Sequence, residues 1–241
     1  MSMYPNEQVT RRPVELEYAA TDRSVFSFFN QVYAWMAVGL AVTACVGMLF
    51  AKSPALLQMV YGNTFGYMAI WGALIALGFI TQRTALNVGV GAGTALFLLY
   101  AAVMGAFISG IFVVYPWPVI VSAVGVTAAV FAGMSVAGFV LKIDLTKMGA
   151  IVGMAVWGLI AASVINIFVA SDGLGWVITY GILAAFIGLT AYYTQMLRNL
   201  AQEAEGNPAV LSRLAVVGSL MLYVAFINMF LAILRILGSR K

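Results

Sequence analysis

Charge is scarce in this chain: 8% of its 241 residues are Asp, Glu, Lys or Arg, while 63% are hydrophobic. An ordinary soluble domain carries roughly 25% charged residues, so a water-facing surface cannot be assembled from this composition. Histidine is absent and Cys45 is the only cysteine. Intrachain disulfides, zinc sites of the His/Cys kind and c-type haem attachment are therefore excluded, and Cys45 reads as a small apolar packing residue. The eight acids all fall outside the long apolar stretches. That removes the carriers of an intramembrane proton relay, the strongest ligands for a divalent cation and the paired acids of an intramembrane aspartic protease. No serine in those stretches has a His or Lys base beside it, so the chain reads as a non-enzyme with no metal site and no cofactor. A net charge of +4 without a dense basic cluster gives no nucleic-acid surface. No internal repeat is evident, and with it go the inverted halves common in secondary transporters.

What is present is a succession of apolar runs. A helix needs about 20 apolar residues to cross a hydrocarbon core of roughly 30 Å. By that measure the chain divides into a polar N-terminal tail (1–23), a transmembrane domain of about seven helices (24–235) and a short basic C-terminal tail (236–241). The first tail carries Glu7, Arg11, Arg12, Glu15, Glu17, Asp22 and Arg23. It has neither a basic-then-apolar leader nor a small-residue cleavage site, so no removable signal peptide is expected.

The first run, Ser24 to Ala51, is broken by Ser53-Pro54, and the second, Thr64 to Gln82, stops at Arg83. Thr84 to Leu141 holds no charge and is too long for one span. Tyr115-Pro116-Trp117-Pro118 divides it into helices three and four, because proline lacks the backbone N–H and restricts the residue before it. The fifth run is Met148 to Ser171, the sixth Trp176 to Leu197 and the seventh Leu214 to Leu234. Arg198 to Arg213 reads as the longest internal loop. The expected fold class is an all-α integral membrane protein.

If all seven runs span, the end holding the N-terminus carries eight Lys and Arg and the other end four, which favours a cytoplasmic N-terminus. If the last run re-enters instead, the bias becomes eleven to one, and both topologies stand at this stage. Gly89, Gly91, Gly93, Gly133, Gly138, Gly149 and Gly153 suit close helix approach in lipid, or else a substrate path lined by small residues.

Four segments together carry a family resemblance. Val32 to Ala44 reads VY-x-x-MA-x-GL-x-x-TA, and Lys142 to Gly149 reads KxDLxxxG. Gly188 to Gln195 is GLTAYYTQ, and Leu222 to Gly238 is LYVAFINMFLAILRILG. In this order they resemble the Bax inhibitor-1 family, also called the transmembrane BAX inhibitor motif family, over nearly everything after residue 24, and the likeness is to its bacterial members. The resemblance implies seven helices with the last one central and wrapped by the other six, in the inner membrane of a bacterium. It also implies a calcium leak channel, hence ion transport, gated by a pair of carboxylates in helices six and seven and linked to an arginine at the end of helix two. Adjacent carboxylates share a proton, which makes such a latch pH-sensitive.

The chain departs from that pattern where the latch belongs. Tyr193 stands in the AYDTQ-like segment and Ala225 in the YLDFIN-like segment, while Arg83 matches the arginine. Two places are open to Arg83: it snorkels to the interface from a helix end, or it faces the bundle and hydrogen-bonds Tyr193. Asn228, with Asn166, Thr190, Tyr192, Thr194, Gln195 and Tyr223, supplies only neutral oxygens, which either tie helices together or line a polar path. In the loop motif, Asp144 with Lys142 and Lys147 nearby suits the cap of helix five, or contact with a cytoplasmic partner.

Two functions follow as expectations. One is a leak pathway that takes calcium ions but is not switched by the family's acid latch. The other is a non-conducting membrane protein that modulates membrane quality control or a stress response, with the bilayer around it and a membrane protease as partner.

Overall fold

The computed structural model describes the backbone of residues 7–140, 146–204 and 206–239, and the side chains of 24–140, 149–204 and 206–239. In chain order the helices are α1 Glu7–Ala51, α2 Pro54–Tyr61, α3 Thr64–Asn87, α4 Val90–Ile108, α5 Ile111–Val114, α6 Trp117–Val140, α7 Thr146–Val169, α8 Asp172–Glu203 and α9 Pro208–Gly238. Seven stretches are long and apolar enough to cross a membrane, with α4 and α5 together forming one of them. The all-α membrane fold expected from composition is the fold found.

Short-range chemistry sets the breaks. The Ser53 hydroxyl accepts from the Leu56 N–H at 3.5 Å ahead of Pro54, and the Asn63 side chain accepts from the Phe65 N–H at 2.9 Å. Both are helix-start chemistry. Between α3 and α4 only Val88 and Gly89 intervene, and Gly89 sits at φ 144, where a side chain is strained. Pro116 separates α5 from α6 as its chemistry requires. A second break at Ser109-Gly110 lacks so plain a signal. There the Tyr61 hydroxyl accepts from the Gly110 N–H at 2.9 Å and donates to the Phe107 carbonyl at 2.6 Å, satisfying groups the helix leaves open.

Two expectations need correction. Arg198 to Arg213 is not a long loop: α8 continues to Glu203 and α9 starts at Pro208. The end of an apolar run is not the end of a helix, because Leu200, Ala201, Gln202 and Glu203 are all good helix formers and Ala201 is fully buried. The last helix does not re-enter either. Near its start Arg213 Nη1 donates to the Leu86 carbonyl at the end of α3, and at its far end Arg235 lies 5.4 Å from the Trp176 ring while Gly238 abuts Tyr115. Unbroken over 31 residues, α9 crosses from one end of the bundle to the other.

That helix is the axis of the molecule. It packs against α1, α3, α4, α6 and α8, and most of its buried residues form one run from Ala215 to Leu234. Five spans pack extensively on it, while α7 packs chiefly on α8 and shares with α9 the lining of a cavity. The apolar side chains of α7, among them Ile151, Met154, Trp157, Ile165 and Phe168, face outward. Outward apolar residues on every span are what lipid as solvent demands.

Glycine serves close approach at some of the expected positions. A Cβ at Gly93 would lie 2.6 Å from that of Ala85, one at Gly138 would collide with the backbone of Ala191, and one at Gly149 with the ring of Tyr192. Gly91, Gly133 and Gly153 face open space. We expect Gly138→Ala to destabilise the bundle by about 1–3 kcal/mol, the usual cost of overpacking. Gly133→Ala should change it by less than about 0.5 kcal/mol or stabilise it, since nothing opposes the methyl. Reversible unfolding in mixed micelles, with helix content as the readout, separates the two.

Candidate functional site

The residues singled out in the sequence do not converge. Arg83 is exposed on the last turns of α3 and has no hydrogen-bond or ion-pair partner among the described residues. Ala225 is fully buried on α9. Tyr193 is half-buried on α8, its ring 5.6 Å from that of Tyr192.

Helix register fixes their depths. Gly218 faces Leu197 across the antiparallel α8 and α9, so Tyr193 and Ala225 stand within about 5 Å of the same level. Ala85 is buried with Val216 and Val217, so Arg83 lies near the level of Gly218, about 10 Å nearer the end of the bundle than Ala225. Arg83 is thus about two helical turns in depth from Ala225 and about one from Tyr193, to which it makes no hydrogen bond among the described residues. Lys142 and Asp144 lie outside the described residues.

What occupies the centre instead is a set of hydroxyls. Tyr223, fully buried, donates to Thr43 Oγ1 at 2.5 Å, and Thr43 in turn lies 2.9 Å from both the Gly39 and Ala101 carbonyls. Phe97 and Tyr100 pack edge-on against the Tyr223 ring, at 5.6 and 5.9 Å. One helical turn nearer the start of α9, the Ser219 hydroxyl reaches both the Val32 carbonyl (2.9 Å) and the Ala215 carbonyl (2.6 Å). These contacts bind α9 to α1 and α4. Sequence reasoning named Tyr223 but not Thr43 or Ser219, and the available signal was Thr43 inside the VY-x-x-MA-x-GL-x-x-TA segment.

Beyond that hydroxyl layer, toward the C-terminal end of α9, lies a cavity of about 420 Å³. Leu74 and Trp71 of α3, Tyr100 and Phe107 of α4, Ile160 of α7 and Asn228 of α9 are among its walls. Asn228 is half-buried and gives one amide proton to the Val224 carbonyl at 2.8 Å.

Among the described residues of the seven spans the only acids are Asp172 and Glu203, the first and last residues of α8. No group of acids, His or Cys among the described residues can hold a metal ion. Calcium asks for six to eight oxygens, some of them charged. The layer around Tyr223 can join helices and orient rings; it has no means of storing a proton.

Comparison with known proteins adds an independent line. A family model described as "Inhibitor of apoptosis-promoting Bax1" matches residues 25–241. An uncharacterized protein of Deinococcus radiodurans is 41% identical over 217 residues, 90% of this chain and 92% of its own. The inner membrane protein YbhL of Escherichia coli K12 is 37% identical over 216 residues, 89% of this chain and 92% of its own. A protein of Borreliella burgdorferi is 38% identical over the same length and shares.

The contact between Tyr223 and Thr43 is testable by itself. In a double-mutant cycle of Tyr223→Phe and Thr43→Val, the coupling energy should be near the average of about 0.6 kcal/mol for hydrogen bonds between membrane helices and no larger than about 1.7 kcal/mol. Unfolding in mixed micelles measures it, and purely additive effects would remove the link.

Proposed function

This chain belongs to the Bax inhibitor-1 family, and from that premise we propose that it is a multi-pass inner-membrane protein whose fold persists without the family's acid-gated calcium path. Its N-terminus faces the cytoplasm in this reading, as the Lys and Arg bias favours. It acts by contact with neighbours in the bilayer, in the quality-control or stress role expected from the resemblance, with a membrane protease as the partner class. A single observation carries the proposal: Ala225, at a latch position, is fully buried and contributes only a methyl, and no carboxylate lies between the ends of any described span. A pair of acids that shares a proton cannot be built from a methyl and a phenol.

A second reading has one observation in its favour. The cavity on the C-terminal side of the bundle carries Asn228, Tyr100 and Ser163 among its walls, and neutral oxygens of this kind can line a pH-independent leak. Against it stands the packing between that cavity and the other end of the bundle. There Tyr223, Leu222 and Leu220 of α9 and Phe97 of α4 are almost wholly buried, and Leu197 closes on Gly218.

Calcium flux in proteoliposomes between about pH 6 and 8 tests both. The expected result is a rate indistinguishable from empty vesicles at every pH. A pH-independent flux above that background would favour the second reading. A steep, reversible pH response that survives Tyr193→Phe would overturn the proposal outright. Crosslinking in native membranes tests the partner, and failure to capture any membrane protease counts against the contact role.

A further inference from the structure

The cavity beside α9 has features that a simple packing defect does not. Its volume of about 420 Å³ falls within the range of small-molecule sites, roughly 300–1,000 Å³. It lies between α3, which packs on α4 and α9, and α7, which packs on α8. Side chains of both helices form its walls, with Ile227, Asn228 and Leu231 of α9 behind them.

Aromatic and aliphatic residues make up nearly all of the lining, and none of the lining residues is Asp, Glu, Lys or Arg. Three polar groups are nonetheless left open, on Asn228, Tyr100 and Tyr67, the last with ring contacts to Tyr61 and Phe107 but no hydrogen bond from its hydroxyl among the described residues. Asn228 commits one amide proton to Val224, while its carbonyl oxygen has no partner among the described residues. The hydroxyl of Tyr100 has none either, although its ring is held against Tyr223. Polar groups in a hydrocarbon environment without water are costly when unpaired.

Depth narrows the occupant. Asn228 is five residues past the midpoint of the 31-residue α9, and at 1.5 Å per residue that is about 7 Å from the middle of the helix, inside a hydrocarbon core of roughly 30 Å. A phospholipid headgroup stays at the interface and cannot reach it. An ionised headgroup would be buried with no counter-charge in the lining.

We propose that this cavity binds an uncharged lipophile carrying a hydroxyl or carbonyl group, with its hydrocarbon body against Trp71, Phe107 and Ile160 and its polar end at Asn228 and Tyr100. The molecule enters from the bilayer between α3 and α7. The site is independent of whether ions cross the bundle.

Trp71 reports on the site directly. The full-length protein in phosphatidylcholine vesicles is titrated with bromododecanol, bromododecane or bromododecanoate while tryptophan fluorescence is read. Bromododecanol should quench a saturable component that disappears in Trp71→Phe, with an apparent affinity at least about tenfold above bromododecane, the difference one to two hydrogen bonds provide. Asn228→Leu should reduce that preference below about threefold and leave the response to bromododecane unchanged.

Equal quenching by the alcohol and the hydrocarbon would mean that acyl chains merely fill the space, and would overturn the proposal. Bromododecanoate matching the alcohol at neutral pH would overturn the requirement for an uncharged ligand. Absence of any Trp71-dependent saturable component would remove the site altogether. The contrast among the three probes uses the unaltered protein, so a poorly folding Asn228→Leu leaves the test intact.

Discussion

Lipid supplies no hydrogen bonds, and every polar group within the seven spans must find its partner inside the protein. The most frequent solution here is a hydroxyl that donates to the carbonyl four residues back. Thr81, Thr127, Thr179, Thr190 and Thr194 all do this, at 2.6 to 2.8 Å. Each is satisfied locally and asks nothing of a neighbouring helix. Against that background the few hydroxyls that reach across helices stand out, and Thr43, Ser219 and Tyr223 all touch the axis helix α9. Ordering the centre of the bundle thus falls to a handful of neutral groups and to the close packing that surrounds them. Thr94 and Ser135, buried with no partner for their hydroxyls, mark where the rule is least well met.

Much of this fold is legible in the sequence because the membrane constrains composition so strongly. The Ser53-Pro54 and Tyr115-Pro116 breaks, the seven apolar runs and the position of Arg83 at a helix end follow from local chemistry. The centrality of α9 was an implication of family likeness rather than of pattern: with lipid as apolar as a core, hydrophobicity alone does not tell an inner helix from an outer one. The length of α8 was missed for a related reason. Polar residues such as Arg198 and Gln202 end an apolar count without ending a helix, and Arg198 even finds a place, donating to the Phe139 carbonyl at 2.7 Å and lying over the Phe139 ring.

The candidate site was less legible. Tyr193, Ala225 and Arg83 are individually readable as departures or matches, yet their mutual depths depend on which small residues face which partners. Gly218 opposite Leu197 sets one register and Ala85 beside Val216 sets another. Neither pair announces itself in a single sequence. The same holds for the cavity, whose walls come from five helices far apart in the chain.

The position of α7 carries one more consequence. Because it leans chiefly on α8 while α9 is gripped by five other spans, the bundle has a seam along one side of α7 and a sealed axis through its middle. Motion at the seam would widen or narrow a sideways doorway into the bilayer and leave the axial barrier as it was. A ligand exchanging with lipid through that seam would therefore leave the packing around the axis undisturbed.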